Sequence, residues 1–152
     1  MGNESTIMNK LFPLIALLLS FSATPGLSAH CQVPCGVYGD PARFSQMLED
    51  QTTIAKAISQ ISDLAGKKDA QSSNQLARWV ATKEDHASKI QKIIAEYFLT
   101  QRIKSSSDKY EELLKGAHSV MVAAMKCKQG TDSKNADALK SAIEAFQAVY
   151  EK

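Results

Sequence analysis

Apolar residues recur along most of the chain with the three-and-four spacing of a helix, and polar residues fill the positions between them. Four such stretches follow one another, at residues 44–64, 76–98, 113–125 and 139–150. Residues typical of turns separate them: Gly66 with the polar linker 67–73, then Ser105–Ser107, then Gly130. The alternating pattern of a β-strand is not seen, so the sequence predicts an all-α domain.

Three of the helices are preceded by recognisable capping residues, which mark where each helix begins. The candidate caps are Asp40 followed by Pro41 at the first helical position, Asp108 followed three residues later by Glu111, and Asp132 or Ser133. Because four helices of similar length are joined by short links, neighbours must run antiparallel to bury their apolar stripes. We therefore predict an up-down-up-down four-helix bundle over residues 39–152.

The first 29 residues do not fit this pattern and are typical of a secretory signal peptide. A short polar stretch with Lys10 precedes an apolar run, 11–21, and small residues end the segment at Ala29. The run is shorter than the ~20 apolar residues that a membrane-spanning helix needs. We expect cleavage after Ala29, export to the periplasm, the exterior or a plastid lumen, and no membrane attachment of the mature chain.

Composition narrows the function classes further. The chain has 152 residues and a formal net charge of +2, with no block of basic residues, so nothing favours nucleic-acid binding. Without the leader, about 120 residues remain, enough for one domain. The three cysteines are an odd number, so a complete set of disulfides within one chain is impossible.

Two of those cysteines stand directly behind the expected cleavage site, in the run His-Cys-Gln-Val-Pro-Cys-Gly-Val-Tyr at 30–38. Cleavage would give His30 a free α-amine beside the backbone amide and thiolate of Cys31. Amine, amide nitrogen and thiolate form two fused chelate rings, which are planar, and a turn through 32–34 can bring the Cys35 thiolate to the fourth position. The segment 30–38 is therefore a candidate metal-binding hook.

The donor set selects the metal. A square plane of nitrogen and sulfur suits Ni(II) or Cu(II), whereas Zn(II) prefers tetrahedral side-chain donors. Thiolates tend to reduce Cu(II), so nickel fits better. The imidazole of His30 adds an axial ligand suited to Ni(III), and the anionic donors favour the higher oxidation state.

With these residues in place, the run His30, Cys31, Pro34, Cys35, Gly36 and Tyr38 resembles the nickel superoxide dismutase family. The resemblance implies an oxidoreductase that disproportionates superoxide, one nickel ion per subunit bound by His30, Cys31 and Cys35, and a homohexamer of four-helix bundles. It also implies that Tyr38 guards the open axial side of the metal. The segment 78–102, with Lys83-Glu84 and Tyr97-Phe98, is similar to the family's second helix.

The chain departs from better-known members of that family around the axial imidazole. Those members hold it with a glutamate of the first helix, backed by an arginine of the second. Here Gln46 or Met47 stands at the first position and His86 at the second. Such partners orient ligands and tune the metal, so these roles are not transferred to this chain.

Two other functions were compatible with the same residues. A nickel or copper carrier would use the same chelate without turnover. A disulfide-stapled helical binding protein would oxidise Cys31 and Cys35 and bind no metal. Outside the hook, we expect His86 and His118 to be solvated or interfacial, Cys127 to be a small buried residue, and the lysines to be solvated.

Overall fold

The computed structural model describes residues 39–152, and these residues form four consecutive helical elements. They are α1 (Asp40–Leu64), α2 (Ala70–Lys92) continued by a π-helical segment, π1 (Ile93–Arg102), then α3 (Tyr110–Gln129) and α4 (Ser133–Tyr150). None of the helices in this part of the chain is long and apolar enough to cross a membrane.

The four elements form an antiparallel bundle. Helices α1 and α3 each pack against both α2 and α4. At one end, the side chain of Asp40 at the start of α1 contacts Arg102 at the end of π1 and Tyr150 at the end of α4. Gly116 near the start of α3 likewise lies against Phe146 near the end of α4. The predicted all-α, up-down-up-down bundle is therefore confirmed, while the hook at 30–38 lies outside the described residues.

The core follows the predicted stripes and has an aromatic centre near the start of α1. Phe44, Phe98 and Phe146 are fully buried, and their ring centroids lie 4.8 to 5.5 Å apart. Tyr150 closes the group at 5.2 Å from Phe98. Tilted and edge-on aromatic pairs of this kind stabilise beyond their buried area. The tightest aromatic packing thus lies under the end of the bundle from which the hook departs.

Two helix boundaries match their predicted signals. Gly66, two residues after the end of α1, has φ +86°, a backbone conformation that residues with a Cβ rarely adopt. The glycine therefore lets the chain turn away from the helix. Asp132 caps α4, because its carboxylate accepts a hydrogen bond from the backbone N–H of Lys134 at 3.0 Å.

Three other starts differ from the prediction. Helix α1 is preceded by Gly39, and Asp40 is its first residue rather than its cap, since the Asp40 carboxylate is engaged by other elements. Helix α2 begins at Ala70, inside the expected linker, because Asp69 accepts a hydrogen bond from the N–H of Ser72 at 2.8 Å. Helix α3 begins at Tyr110 without a side-chain cap, so the box predicted at Asp108 is wrong.

The π-helical segment π1 was not anticipated from the apolar pattern. Its backbone and side chains bond five residues back: Ile103 N–H to Phe98 O at 2.8 Å, and Thr100 Oγ1 to Ala95 O at 2.7 Å. In this wider winding, residues five apart lie over one another. The guanidinium of Arg102 therefore reaches back to the hydroxyl of Tyr97.

The expectation that the lysines are all solvated is wrong for Lys83, which is 3% exposed. Its ammonium donates to the carbonyl oxygens of Cys127 and Lys128, both at 2.6 Å, and to the carboxylate of Glu84 at 2.9 Å. The last carbonyls of a helix lack partners within the helix. Lys83 of α2 therefore caps the C-terminal end of α3.

Candidate metal centre

The predicted ligands His30, Cys31 and Cys35, and the predicted guard Tyr38, all lie outside the described residues. The structure does describe the first turn of α1, which follows these residues in the sequence. Tyr38 stands two residues and Cys35 five residues before Asp40 in the sequence. The contacts of Asp40 therefore hold the chain close behind the hook.

Asp40 is fixed by three side chains from two other elements. Its Oδ1 accepts a hydrogen bond from the Tyr97 hydroxyl and forms an ion pair with Arg102, whose Nε lies 2.9 Å away. Its Oδ2 accepts from the Tyr150 hydroxyl at 2.8 Å. Arg102 also donates to the Tyr97 oxygen, from Nη2 at 3.0 Å. We call Asp40, Tyr97, Arg102 and Tyr150 the anchor cluster.

The electrostatics of the anchor cluster favour an ionised carboxylate and neutral phenols. Partial burial alone would raise the pKa of Asp40, but hydrogen bonds from Tyr97 and Tyr150, together with the charge of Arg102, bring that pKa below 3.8. Burial and the neighbouring carboxylate raise the pKa of both Tyr97 and Tyr150. The hydrogen bond to Tyr97 raises the pKa of Arg102. The cluster therefore carries one negative and one positive charge.

The ring of Tyr97 is also held by cations. The guanidinium carbons of Arg43 and Arg102 lie 5.3 and 5.1 Å from its centroid, within the range of a cation–π interaction. Tyr97 is 6% exposed and packs edge-on against Phe98 at 5.2 Å. The tyrosine thus joins the aromatic core to the charged rim.

At the positions where better-known members of the family carry the glutamate and the arginine, the side chains of this protein have other partners. Gln46 is exposed and accepts a hydrogen bond from Arg43 Nη1 at 2.8 Å, whereas Met47 is fully buried in the core. His86 instead contacts Asp50, one turn further along α1, with Nδ1 2.6 Å from Oδ1. His86 is therefore interfacial, in line with its prediction.

Asp50 is an unusual buried acid. It is 6% exposed, and its Oδ2 is buried without a hydrogen-bond partner. Burial raises the pKa of Asp50, while the hydrogen bond and charge of His86 and the charge of Lys89 oppose that rise. The Asp50–His86 pair links α1 to α2.

Beside the anchor cluster, an open groove of about 190 Å³ runs between α1 and π1. Its walls carry the charged residues Arg43, Lys89, Lys92 and Glu96. The lysines are already engaged, Lys89 with Asp85 at 2.7 Å and Lys92 with Glu96 at 3.9 Å. Both lysines of the groove therefore lie in ion pairs.

Residues 39–152 offer no alternative metal site, since they contain no group of three or more His, Cys, Asp or Glu side chains placed to hold an ion. The one cysteine in this range, Cys127, is fully buried, and burial raises the pKa of its thiol to about 11. As predicted, it is a small buried residue. His118 lies exposed on α3, also as predicted.

Comparison with known proteins decides the family. The family model described as nickel-containing superoxide dismutase matches residues 26–152, from just before the expected cleavage site to the last residue. The chain belongs to the nickel-containing superoxide dismutase family. It is accordingly an oxidoreductase that acts on superoxide and uses nickel. No curated protein and no solved structure matches it significantly.

The donor set predicted for the hook would suit nickel. Thiolates are soft ligands and a deprotonated amide is a strong donor, so this set would favour nickel over a hard, oxygen-seeking ion. The bundle's own cysteine does not compete, because the Cys127 thiol is buried and protonated at neutral pH.

Sequence reasoning missed the anchor cluster. In the sequence, Tyr97 and Tyr150 belong to apolar stripes, Tyr97 also belongs to the segment that resembles the family, and Asp40 is a candidate helix cap. Tyrosines on an apolar stripe are a usable signal, because a buried phenol needs a hydrogen-bond partner. The partner itself could not be named, since it lies 57 residues from Tyr97 and 110 from Tyr150.

Proposed function

We propose that the mature enzyme begins at His30 and that residues 30–38 form its nickel site. In this assignment His30 would hold nickel through its α-amine and imidazole, Cys31 through an amide nitrogen and a thiolate, and Cys35 through the second thiolate. The observation that carries the proposal is the span of the family match, which includes the whole hook together with the bundle.

The proposed reaction is the disproportionation of superoxide. When bound, nickel would supply one-electron chemistry by alternating between Ni(II) and Ni(III). The net reaction converts two superoxide ions and two protons into one dioxygen and one hydrogen peroxide. No organic cofactor is needed.

The chain's own residues perform the supporting tasks. The three anionic donors would stabilise the higher oxidation state of nickel, which would bring its potential into the range where superoxide can react in both directions. Tyr38 would limit access to the metal and order solvent beside it. The bundle holds the chain directly behind Tyr38 through the anchor cluster.

The first experiment is N-terminal sequencing, metal analysis and a superoxide assay on the secreted protein. We expect His30 as first residue, one nickel ion per chain, and rapid disproportionation. Cys35→Ser should abolish nickel binding, whereas the matched control Cys127→Ala should retain it. A mature chain that begins at another residue, or that contains nickel without turnover, contradicts the proposal; the second result would identify a metal carrier.

A second experiment tests the free amine directly. Adding one alanine before His30 leaves every side chain in place and converts the amine into an amide. We expect loss of nickel binding at equal helical content. Unchanged nickel content and activity in this variant would exclude the amine as a ligand.

Export and assembly are part of the same proposal. We propose that residues 1–29 direct export and are removed, and that the mature chain forms a homohexamer. Fractionation of cells with an antibody to the bundle, and light scattering of the purified protein, test these two points. A chain retained in the cytoplasm, or a monomer in solution, would contradict them separately.

A further inference from the structure

The anchor cluster joins three elements at one acidic side chain, which stands two residues after the last residue of the hook. Asp40 accepts hydrogen bonds from Tyr97 of π1 and Tyr150 of α4 and forms an ion pair with Arg102 of π1. We propose that Asp40 is a positioning residue for the nickel site, and that its carboxylate fixes the direction in which the hook leaves the bundle. This inference rests on the proposed assignment of the hook.

The geometry requires a carboxylate at this position. Both oxygens are used, Oδ1 by the Tyr97 hydroxyl and Arg102 and Oδ2 by the Tyr150 hydroxyl at 2.8 Å. An asparagine has one acceptor oxygen, so Asp40→Asn would place an amide N–H₂ against a donor on one side. A longer glutamate would displace the first turn of α1 from its partners.

The two tyrosine partners are packed into the aromatic core. Tyr97 is 6% exposed and Tyr150 packs against Phe44 and Phe98, with ring centroids 5.6 and 5.2 Å away. Arg102 is placed by the π-helical winding that brings it over Tyr97. The anchor therefore connects the chain behind the hook to the best-packed part of the core.

The charges indicate that this role is positional. The carboxylate of Asp40 is matched by the guanidinium of Arg102 at 2.9 Å, and the two phenols are neutral because their pKa values are raised. The cluster thus adds little net field at the metal. Loss of Asp40 should act through the placement of Tyr38 and Cys35, which stand two and five residues before it in the sequence.

The test compares Asp40→Asn with Asp137→Asn in the nickel-loaded enzyme. Asp137 is exposed on α4, so the control removes the same charge without touching the cluster. We measure nickel loss to a competing chelator, the electron paramagnetic resonance spectrum of the oxidised protein, and turnover. Asp40→Asn should keep its helical circular dichroism, lose nickel about tenfold faster and show a shifted spectrum. Asp137→Asn should match the wild type.

A second variant covers the case in which Asp40→Asn does not fold. Tyr150→Phe removes one hydrogen bond to Asp40 from the far end of the chain and keeps the aromatic packing. It should speed nickel loss in the same direction by a smaller factor. If neither folded variant differs from Asp137→Asn in nickel release and spectrum, the inference is overturned. If wild-type nickel content does not depend on Cys35, the proposed function fails instead, whatever Asp40 does.

Discussion

Replacing Lys83 by methionine should destabilise the bundle without touching the predicted metal site. The side chain is 3% exposed, and its ammonium caps the carbonyls of Cys127 and Lys128 at the end of α3. Methionine fills a similar space and has no donor, so both carbonyls lose their charged partner. Glu84, whose side chain is 45% exposed, can return to water at little cost.

The magnitude follows from these contacts. A carbonyl left without a partner costs about 1–3 kcal/mol, so two cost ~2–6 kcal/mol. Part of this is offset, because a buried ammonium itself opposes folding. We expect a net loss of about 2–4 kcal/mol in the free energy of unfolding. With an unfolding entropy of ~2.1 cal/mol/K per residue over roughly 115 residues, the melting temperature should fall by about 8–16 °C.

Urea unfolding followed by circular dichroism at 222 nm measures this loss. Lys89→Met on the same helix is the control, since Lys89 is 45% exposed and forms only an i,i+4 pair with Asp85. The control should stay within ~0.5 kcal/mol of the wild type. If Lys83→Met is equally mild, with an unchanged dependence on urea, the capping argument is refuted.

Three further outcomes are expected. Gly116→Ala should lower the free energy of unfolding in urea by about 1–3 kcal/mol, because a Cβ there would lie 2.9 Å from Cδ2 of buried Phe146. A variant as stable as the wild type, or more stable, would contradict this close approach. The free energy of unfolding of the wild type should fall as the pH rises from 3.8 through the raised pKa of Asp50, because the folded state favours the protonated carboxyl. Asp50→Asn, which keeps His86, should therefore gain stability relative to the wild type over that interval. A difference in unfolding free energy that stays constant with pH would refute this. Cys127 should resist iodoacetamide in the native protein at pH 8 and react in urea, as peptide mass spectrometry would show; rapid native alkylation would contradict its burial and its pKa of about 11.

The helices could be predicted because their determinants are local. Apolar spacing and Gly66 mark α1, and Asp132 marks the start of α4, within a few residues of the elements they define. The start of α2 was misplaced although its cap was visible, since Asp69 and Ser72 stand at capping distance inside a polar stretch. That error came from reading polar composition as a linker.

The polar contacts between helices could not be predicted in the same way. Asp40 before Pro41 is typical of a cap, yet its carboxylate is held by residues that only the fold brings near. Lys83 resembles any surface lysine until the end of α3 is placed beside it. The hook was the opposite case, because all its proposed donors are adjacent in sequence and their chemistry needs no distant partner.

The odd number of cysteines gains a physical explanation from the bundle. Cys127 is fully buried, and burial raises the pKa of its thiol to about 11, so at neutral pH it is neither a thiolate ligand nor a ready partner in thiol exchange. Its backbone oxygen is committed to Lys83 at 2.6 Å, which holds this part of α3 in place. Cys31 and Cys35 are therefore left as a pair without competition from the third thiol. The family match across 26–152 favours a thiolate pair on nickel over a disulfide.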